Sequence, residues 1–344
     1  MAGMYVVSSK LSDGSCVGGE PYGVDNMEEL RLILQDKLLD NTCQLFYDPI
    51  NYHHSSFYGD INLVSGVPWP KMFLKPKWYR FRLLNAAISR PWLIKIKDDL
   101  GNDVSSSKCF VIAKDGGFRS NAAPLTVDGL LIAIAERYEM VCDFSAHAGK
   151  ILYIWNDWDL GNQQKSVPYF CYSHLVARIH VDTVPEVGAA VFNPLFTPGT
   201  NGVPPDIGPV TATLSPAEIQ AATTMALAGQ FHRDFLFAKA VNGQWAINGE
   251  TWDTAKIAAA DVGQNTWEVW RLNTKGGWFH PVHVHLVDFY VIRRDKGVPL
   301  PNSVEVNGVR PYEYLSPADV VYLDAGTFVY LLVRFGAHKG GTFS

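Results

Sequence analysis

Along most of the chain, apolar residues come in short runs that alternate with polar ones, and Gly, Pro, Asn and Asp punctuate the runs. Alternation with period two is the mark of half-buried strands. It predicts strands over Trp78–Leu84, Tyr138–Phe144, Ile151–Asn156, Leu175–Val181, Thr266–Leu272, His283–Ile292, Val320–Leu323 and Phe328–Phe335. Helical periodicity is weak. The helix candidate is Pro216–Ala228, with Ser215 placed as N-cap and Glu218, three residues on, placed to complete a capping box. Many short strands bounded by turn residues point to all-β sandwiches or barrels.

The segment Val184–Pro209 is rich in Pro and Gly and lacks periodicity, which is a linker composition. It separates a β domain over 27–182 from a second over 230–344, with 183–229 as the linker and its short helix. Residues 1–26 have the look of a remnant: a strand at Met4–Val7 without a preceding partner, followed by loop. The strand Phe328–Phe335 is followed by only a few residues where a hairpin would return, so the last domain is expected to be incomplete.

A length of 344 residues suffices for two cores at about 150 residues per domain. The apolar share of 47% against 18% charged excludes general disorder. A net charge of -5, with 29 basic residues dispersed, leaves no electrostatic footprint for nucleic acid or an anionic membrane. The longest strongly apolar stretch, Leu130–Ala135, is far short of the roughly 18 residues of a membrane span, and no signal-peptide pattern follows Met1. The five cysteines are scattered, with no CxxC, and predict no disulfide framework; Cys142, in an alternating apolar run, fits core filling.

The sharpest chemical feature is GGWFHPVHVHLVDF, Gly276–Phe289, which holds three of the ten histidines: His280, His283 and His285. On a strand, His283 and His285 would share one face, a spacing that suits two ligands of one site or of two neighbouring metals. Pro281 cannot donate to a ladder, so His280 stands before regular alternation begins and is free to serve a different site. Neutral imidazole is a ligand for copper, zinc and iron. The apolar neighbours Val282, Val284, Leu286, Val287 and Phe289 leave no solvated face to account for the histidines. His53, His54, His147 and His174 fit ordinary surface or packing roles, and Asp115–Gly117 fits a plain β-turn. Neither GxSxG nor HExxH occurs.

At HPVHVHLVDF the chain resembles the multicopper oxidases. Trp69–Arg90 and Leu130–Lys150 resemble two parts of that family's middle cupredoxin domain. The wording AERYE, DFS, AGK and WFHP is most similar to the bilirubin oxidase and spore-coat laccase branch. The resemblance implies cupredoxin-like Greek-key β-sandwich domains, one complete and one truncated, the complete middle domain binding no copper. It also implies a copper cofactor, four ions in the whole enzyme. His280 would ligate the blue mononuclear copper where electrons are received, and His283 and His285 the trinuclear cluster. Trp278 would sit beside the blue copper and help accept electrons, with aromatic packing as the alternative role.

The partners implied are a phenolic or bilirubin-like small-molecule donor and dioxygen, reduced to water. Two HxH pairs of the family's first domain and its HCHxxxH motif have no counterpart here, and HCH occurs nowhere in the chain. The 344 residues alone are therefore expected to be inactive. Two rivals stand beside this reading: a non-catalytic cupredoxin protein holding at most one metal through His283 and His285, and a zinc or iron β-barrel enzyme using all three histidines. Members of the family are often secreted or on cell or spore surfaces, which leaves the compartment open.

An incomplete last domain would expose an apolar sheet edge, a template for aggregation. Size-exclusion chromatography and thermal melting of the purified chain test this expectation, which a soluble, cooperatively melting monomer contradicts.

Overall fold

The computed structural model describes residues 3–6, 21–47, 57–106, 108–115, 117–158, 174–194, 214–251, 262–274, 279–295 and 305–336. The chain divides into two compact units, Met1–Ala113 with Ser120–Val203 and Lys114–Arg119 with Pro204–Ser344. Both are built of strands, as the alternation predicts. Among the described residues no helix is long and apolar enough to cross a membrane.

The strands up to the Pro/Gly-rich segment are β1 (Glu29–Leu39), β2 (Leu45–Phe46), β3 (Ile61–Val64), β4 (Val67–Pro68), β5 (Lys71–Leu74), β6 (Trp78–Asn85), β7 (Trp92–Lys97), β8 (Cys109–Lys114), β9 (Gly117–Pro124), β10 (Leu130–Ile132), β11 (Arg137–Asp143), β12 (Ile151–Asn156) and β13 (Leu175–Val181). An eight-stranded sheet has the order β4-β3-β1-β6-β11-β8-β9 with β2 on β1, and a five-stranded sheet the order β10-β7-β12-β13-β5. Alternate residues are buried, as in β12, where Leu152 and Ile154 are covered while Tyr153 and Trp155 are partly open. Residues 3–6 form no strand and Tyr5 is exposed, while Val7, the last residue of the expected Met4–Val7 strand, lies outside the described residues.

Cys142 is not a free core filler. It is bonded to Cys109, both fully buried, because β8 and β11 are neighbours in the large sheet and bring the two Cα atoms to 4.1 Å. A separation of 33 residues hides such a pair from sequence inspection, since only the sheet order makes them adjacent.

In the second unit, α1 (Pro216–Leu227) is followed by β14 (Arg233–Lys239), β15 (Trp245–Ile247), β16 (Trp267–Thr274), β17 (His280–His283), β18 (Tyr290–Asp295), β19 (Val320–Leu323) and β20 (Phe328–Arg334). The helix starts where the capping box places it: the Glu218 N–H donates to Ser215 Oγ and the Ser215 N–H donates to the Glu218 carboxylate. A five-stranded sheet runs β15-β14-β16-β20-β18, and β17 pairs with β19 in a separate two-stranded sheet. Successive residues of β20 point to opposite faces. Tyr330 and Leu332 meet α1 through Ala222 and Ala226, together with Val269 and Ile292. Val329, Leu331 and Val333 pack on the other side with Phe235, Leu272 and Val291, against Val282, Val321 and Leu323 of the β17–β19 pair. The helix and the small sheet thus cover the two faces of one sheet.

The strand expected over His283–Ile292 is two strands. β17 ends at His283 and β18 begins at Tyr290, with Leu286 between them at a positive φ of 72°. The physical reason is that β17 belongs to the small sheet and β18 to the large one, so the chain between them must turn from one to the other.

A buried ion pair lies beside this crossover. The Arg294 guanidinium donates to both carboxylate oxygens of Glu313 and to the Tyr322 carbonyl, and Glu313 is almost fully buried. Burial alone would raise the Glu313 pKa; the charge and hydrogen bonds of Arg294, aided by Lys114 and Arg310, outweigh it and hold the carboxyl at about 2. A folded-state pKa below the ordinary 4.5 means stabilisation that is complete above about pH 4.5 and is lost as pH falls toward 2. Glu313→Gln leaves a buried guanidinium uncompensated and should cost about 3–5 kcal/mol at neutral pH. Urea denaturation at pH 7 and pH 3 tests this: the deficit should shrink at the lower pH, and an equal deficit at both would contradict the role of the Glu313 charge.

Candidate metal centre

β17 is four residues long and lies against β19 with His280 opposite Leu323 and His283 opposite Val320. Its alternation sorts the motif. His280 and Val282 face one way, Pro281 and His283 the other, so the proline separates two differently directed histidines rather than interrupting the strand.

His280 is half-buried between aromatic rings of the β14–β15 hairpin. Its ring meets Trp245 edge-to-face at 4.9 Å between centroids and lies 5.8 Å from Phe237. The hairpin register places Lys239 opposite Trp245, with Lys239 Nζ 5.3 Å from the indole centroid. Burial lowers the His280 pKa, which favours the neutral imidazole that a metal requires. Trp245 itself is half-exposed, so an aromatic surface connects His280 to solvent. The sequence contains a signal for the hairpin, Asn242-Gly243 between apolar runs, but none for its approach to His280. Trp278, expected beside the same copper, lies outside the described residues.

His283 and His285 come together. Their ring centroids are 4.8 Å apart with the planes tilted by 52°. Both are exposed, as is Leu286, so the apolar neighbourhood does not remove the solvated face that the sequence pattern seemed to deny them. His283 Nδ1 is 2.7 Å from the Asp319 carbonyl oxygen. A carbonyl can only accept, so Nδ1 carries a proton, and in the neutral ring this leaves the lone pair on Nε2, the tautomer a ligating histidine needs. The Asp319 carboxylate lies 3.9 Å from the same nitrogen.

The donor set fits copper in part. Two adjacent imidazoles, one with its tautomer fixed, are suited to a borderline ion such as copper. Among the described residues no group of three or more His, Cys, Asp or Glu is gathered as a metal site; His283 and His285 are adjacent, and His280 is directed to the other side of β17.

Comparison with known proteins bears on the family and the fold. Residues 218–343 match the multicopper oxidase domain family. The chain is 35% identical over 288 residues to the bilirubin oxidase of Albifimbria verrucaria, covering 83% of this chain and 45% of that protein. It is 30% identical over 317 residues to the laccase of Haloferax volcanii, covering 91% and 48%. The chain thus spans about half the length of these relatives. The fold is similar to that of the McoA multicopper oxidase of Aquifex aeolicus, with a TM-score of 0.63 at 20% identity over 91% of this chain and 60% of that one. The sheets are accordingly cupredoxin-like, and the chain belongs to the multicopper oxidase family.

Proposed function

We propose that this chain is the part of a copper-dependent oxidase that supplies His280 to an electron-accepting copper and His283 and His285 to the copper cluster that reduces dioxygen. The observation that carries this reading is the division of the motif: His280 faces an aromatic pocket on one side of β17, while His283 ends the strand on the other side with His285 beside it. Copper held there would supply one-electron redox chemistry. The protein's own part is to keep His280 neutral by burial, to fix His283 with Nε2 available, and to offer an aromatic route from solvent to His280 through Trp245.

The donor fitting this route is a phenol or a bilirubin-like tetrapyrrole, whose rings can stack near Trp245; relatives named laccase and bilirubin oxidase support that choice. Dioxygen is the acceptor. A blue site also needs a cysteine thiolate and a second imidazole. With no His-Cys-His in its sequence, the 344-residue chain alone is proposed to bind copper without turning over.

Copper titration followed by electron paramagnetic resonance tests the assignment. Bound copper should show imidazole nitrogen coupling, and a H283A/H285A variant should bind at least about 10-fold more weakly. No blue absorbance and no dioxygen uptake with 2,6-dimethoxyphenol should appear. Copper retention unchanged in the double variant would remove the ligand assignment, leaving a non-catalytic cupredoxin protein, while a blue chromophore with turnover would overturn the proposed incompleteness.

A further inference from the structure

We propose that Asp115 is a positioning residue for His283, acting through the peptide group between Asp319 and Val320; this rests on the reading of His283 and His285 as copper ligands. Lys114–Arg119 belongs to the second unit, and Asp115, just after β8, has a role there beyond the change of direction between β8 and β9. Asp115 takes a positive φ of 49°, a conformation that Asp tolerates better than most residues. Its Oδ2 accepts two backbone N–H groups, from Asp319 at 3.0 Å and from Val320 at 3.2 Å. These are charge-assisted bonds, stronger than the neutral bonds of an ordinary turn.

The second bond is the informative one. The Val320 N–H and the Asp319 carbonyl belong to one planar peptide group and point in opposite directions. On one side that group donates to the Asp115 carboxylate; on the other its oxygen accepts from His283 Nδ1 at 2.7 Å and from the Val284 N–H at 3.0 Å. Hydrogen bonds in series polarise one another, so an anion on the N–H makes the carbonyl a stronger acceptor. A stronger acceptor at Nδ1–H holds the proton there and so keeps Nε2 as the nitrogen open to a metal. In many metal sites a carboxylate does this by direct contact with the ligating histidine. Here the same influence passes through one peptide group.

The segment is also seated closely enough to act in this way. A Cβ on Gly117 would come within 2.7 Å of Pro317 Cγ, so the turn lies flush against the approach to β19. Arg119 donates to the carbonyls of Pro311 at 3.0 Å and Tyr312 at 2.6 Å, fixing the loop just upstream.

The test compares Asp115→Ala and Asp115→Asn with the unaltered chain. Asn keeps an acceptor oxygen and loses the charge. In the copper-free protein, nitrogen-15 imidazole spectra should show His283 as the Nδ1–H tautomer in the unaltered chain and in Asp115→Asn, and as a mixture in Asp115→Ala. Copper affinity should fall about 10-fold in Asp115→Ala, with Asp115→Asn between the two. Unchanged tautomer and affinity in a folded Asp115→Ala would overturn the proposal and leave a structural turn. Should Asp115→Ala not fold, Asp115→Asn decides, and a copper affinity equal to that of the unaltered chain counts against the proposal. His283→Ala separates this from the underlying reading. If it leaves copper binding intact, the ligand assignment itself fails; if it weakens binding while the Asp115 variants do not, only the positioning role fails.

Discussion

The period-two alternation of a single short strand is the constraint on which the candidate centre depends. β17 must bury Val282 against the sheet core, and once that side chain is fixed the directions of its neighbours follow. His280 shares the buried side and His283 the open one. A slip of one residue in the pairing of β17 with β19 would bury His283 and expose His280, inverting both environments. The register of four residue pairs, from His280 with Leu323 to His283 with Val320, therefore carries chemical as well as structural information.

What keeps that register is the layered core beneath it. The order β3-β1-β6-β11 in the first unit has a counterpart in β15-β14-β16-β20 of the second, each with one parallel pair at its centre, β1 with β6 and β14 with β16. Parallel pairing is slightly weaker per residue than antiparallel pairing. Both parallel pairs carry cross-strand charges: Arg80 and Arg82 reach Glu29 in one, while Arg233 meets Glu268 and Arg271 meets Asp234 in the other. The Arg233–Glu268 and Arg271–Asp234 pairs are partly open, so each is worth well under the burial of one large apolar side chain, about 1.5–3 kcal/mol, whereas Arg80 and Arg82 are buried and need Glu29 and its neighbours to compensate their charge. They select the partner and direction of the strands, while Val329, Leu331 and Val333 supply the larger share of the energy.

Much of this was legible in the sequence, for physical reasons that differ between elements. Phe328–Arg334 alternates between two apolar faces and Pro216–Leu227 carries its own capping box, so local chemistry defines both. The Cys109–Cys142 bond and the approach of Trp245 to His280 depend on which strands and hairpins become neighbours, and nothing within either segment encodes that. The histidine motif falls between these cases. Its residue types are read directly and the separate direction of His280 follows from the strand alternation, with Pro281 inside the strand rather than before it, whereas the end of β17 at His283 is imposed by the crossover to another sheet.

That crossover follows directly on the two adjacent histidines. Two residues apart on a regular strand, side chains on one face are separated by about 6.8 Å. The His283 and His285 ring centroids are 4.8 Å apart, so the two rings lean toward each other from that spacing. Past His285 the chain turns through Leu286, whose positive φ is a conformation that costs a residue with a side chain on the order of 1–3 kcal/mol. Val287 and Phe289, buried on either side of Asp288, anchor the far end of the turn and offset that cost. The adjacent His283 and His285 rings thus lie at the place where the fold has to change sheets, so the same stretch of chain both ends the small sheet and carries the two imidazoles.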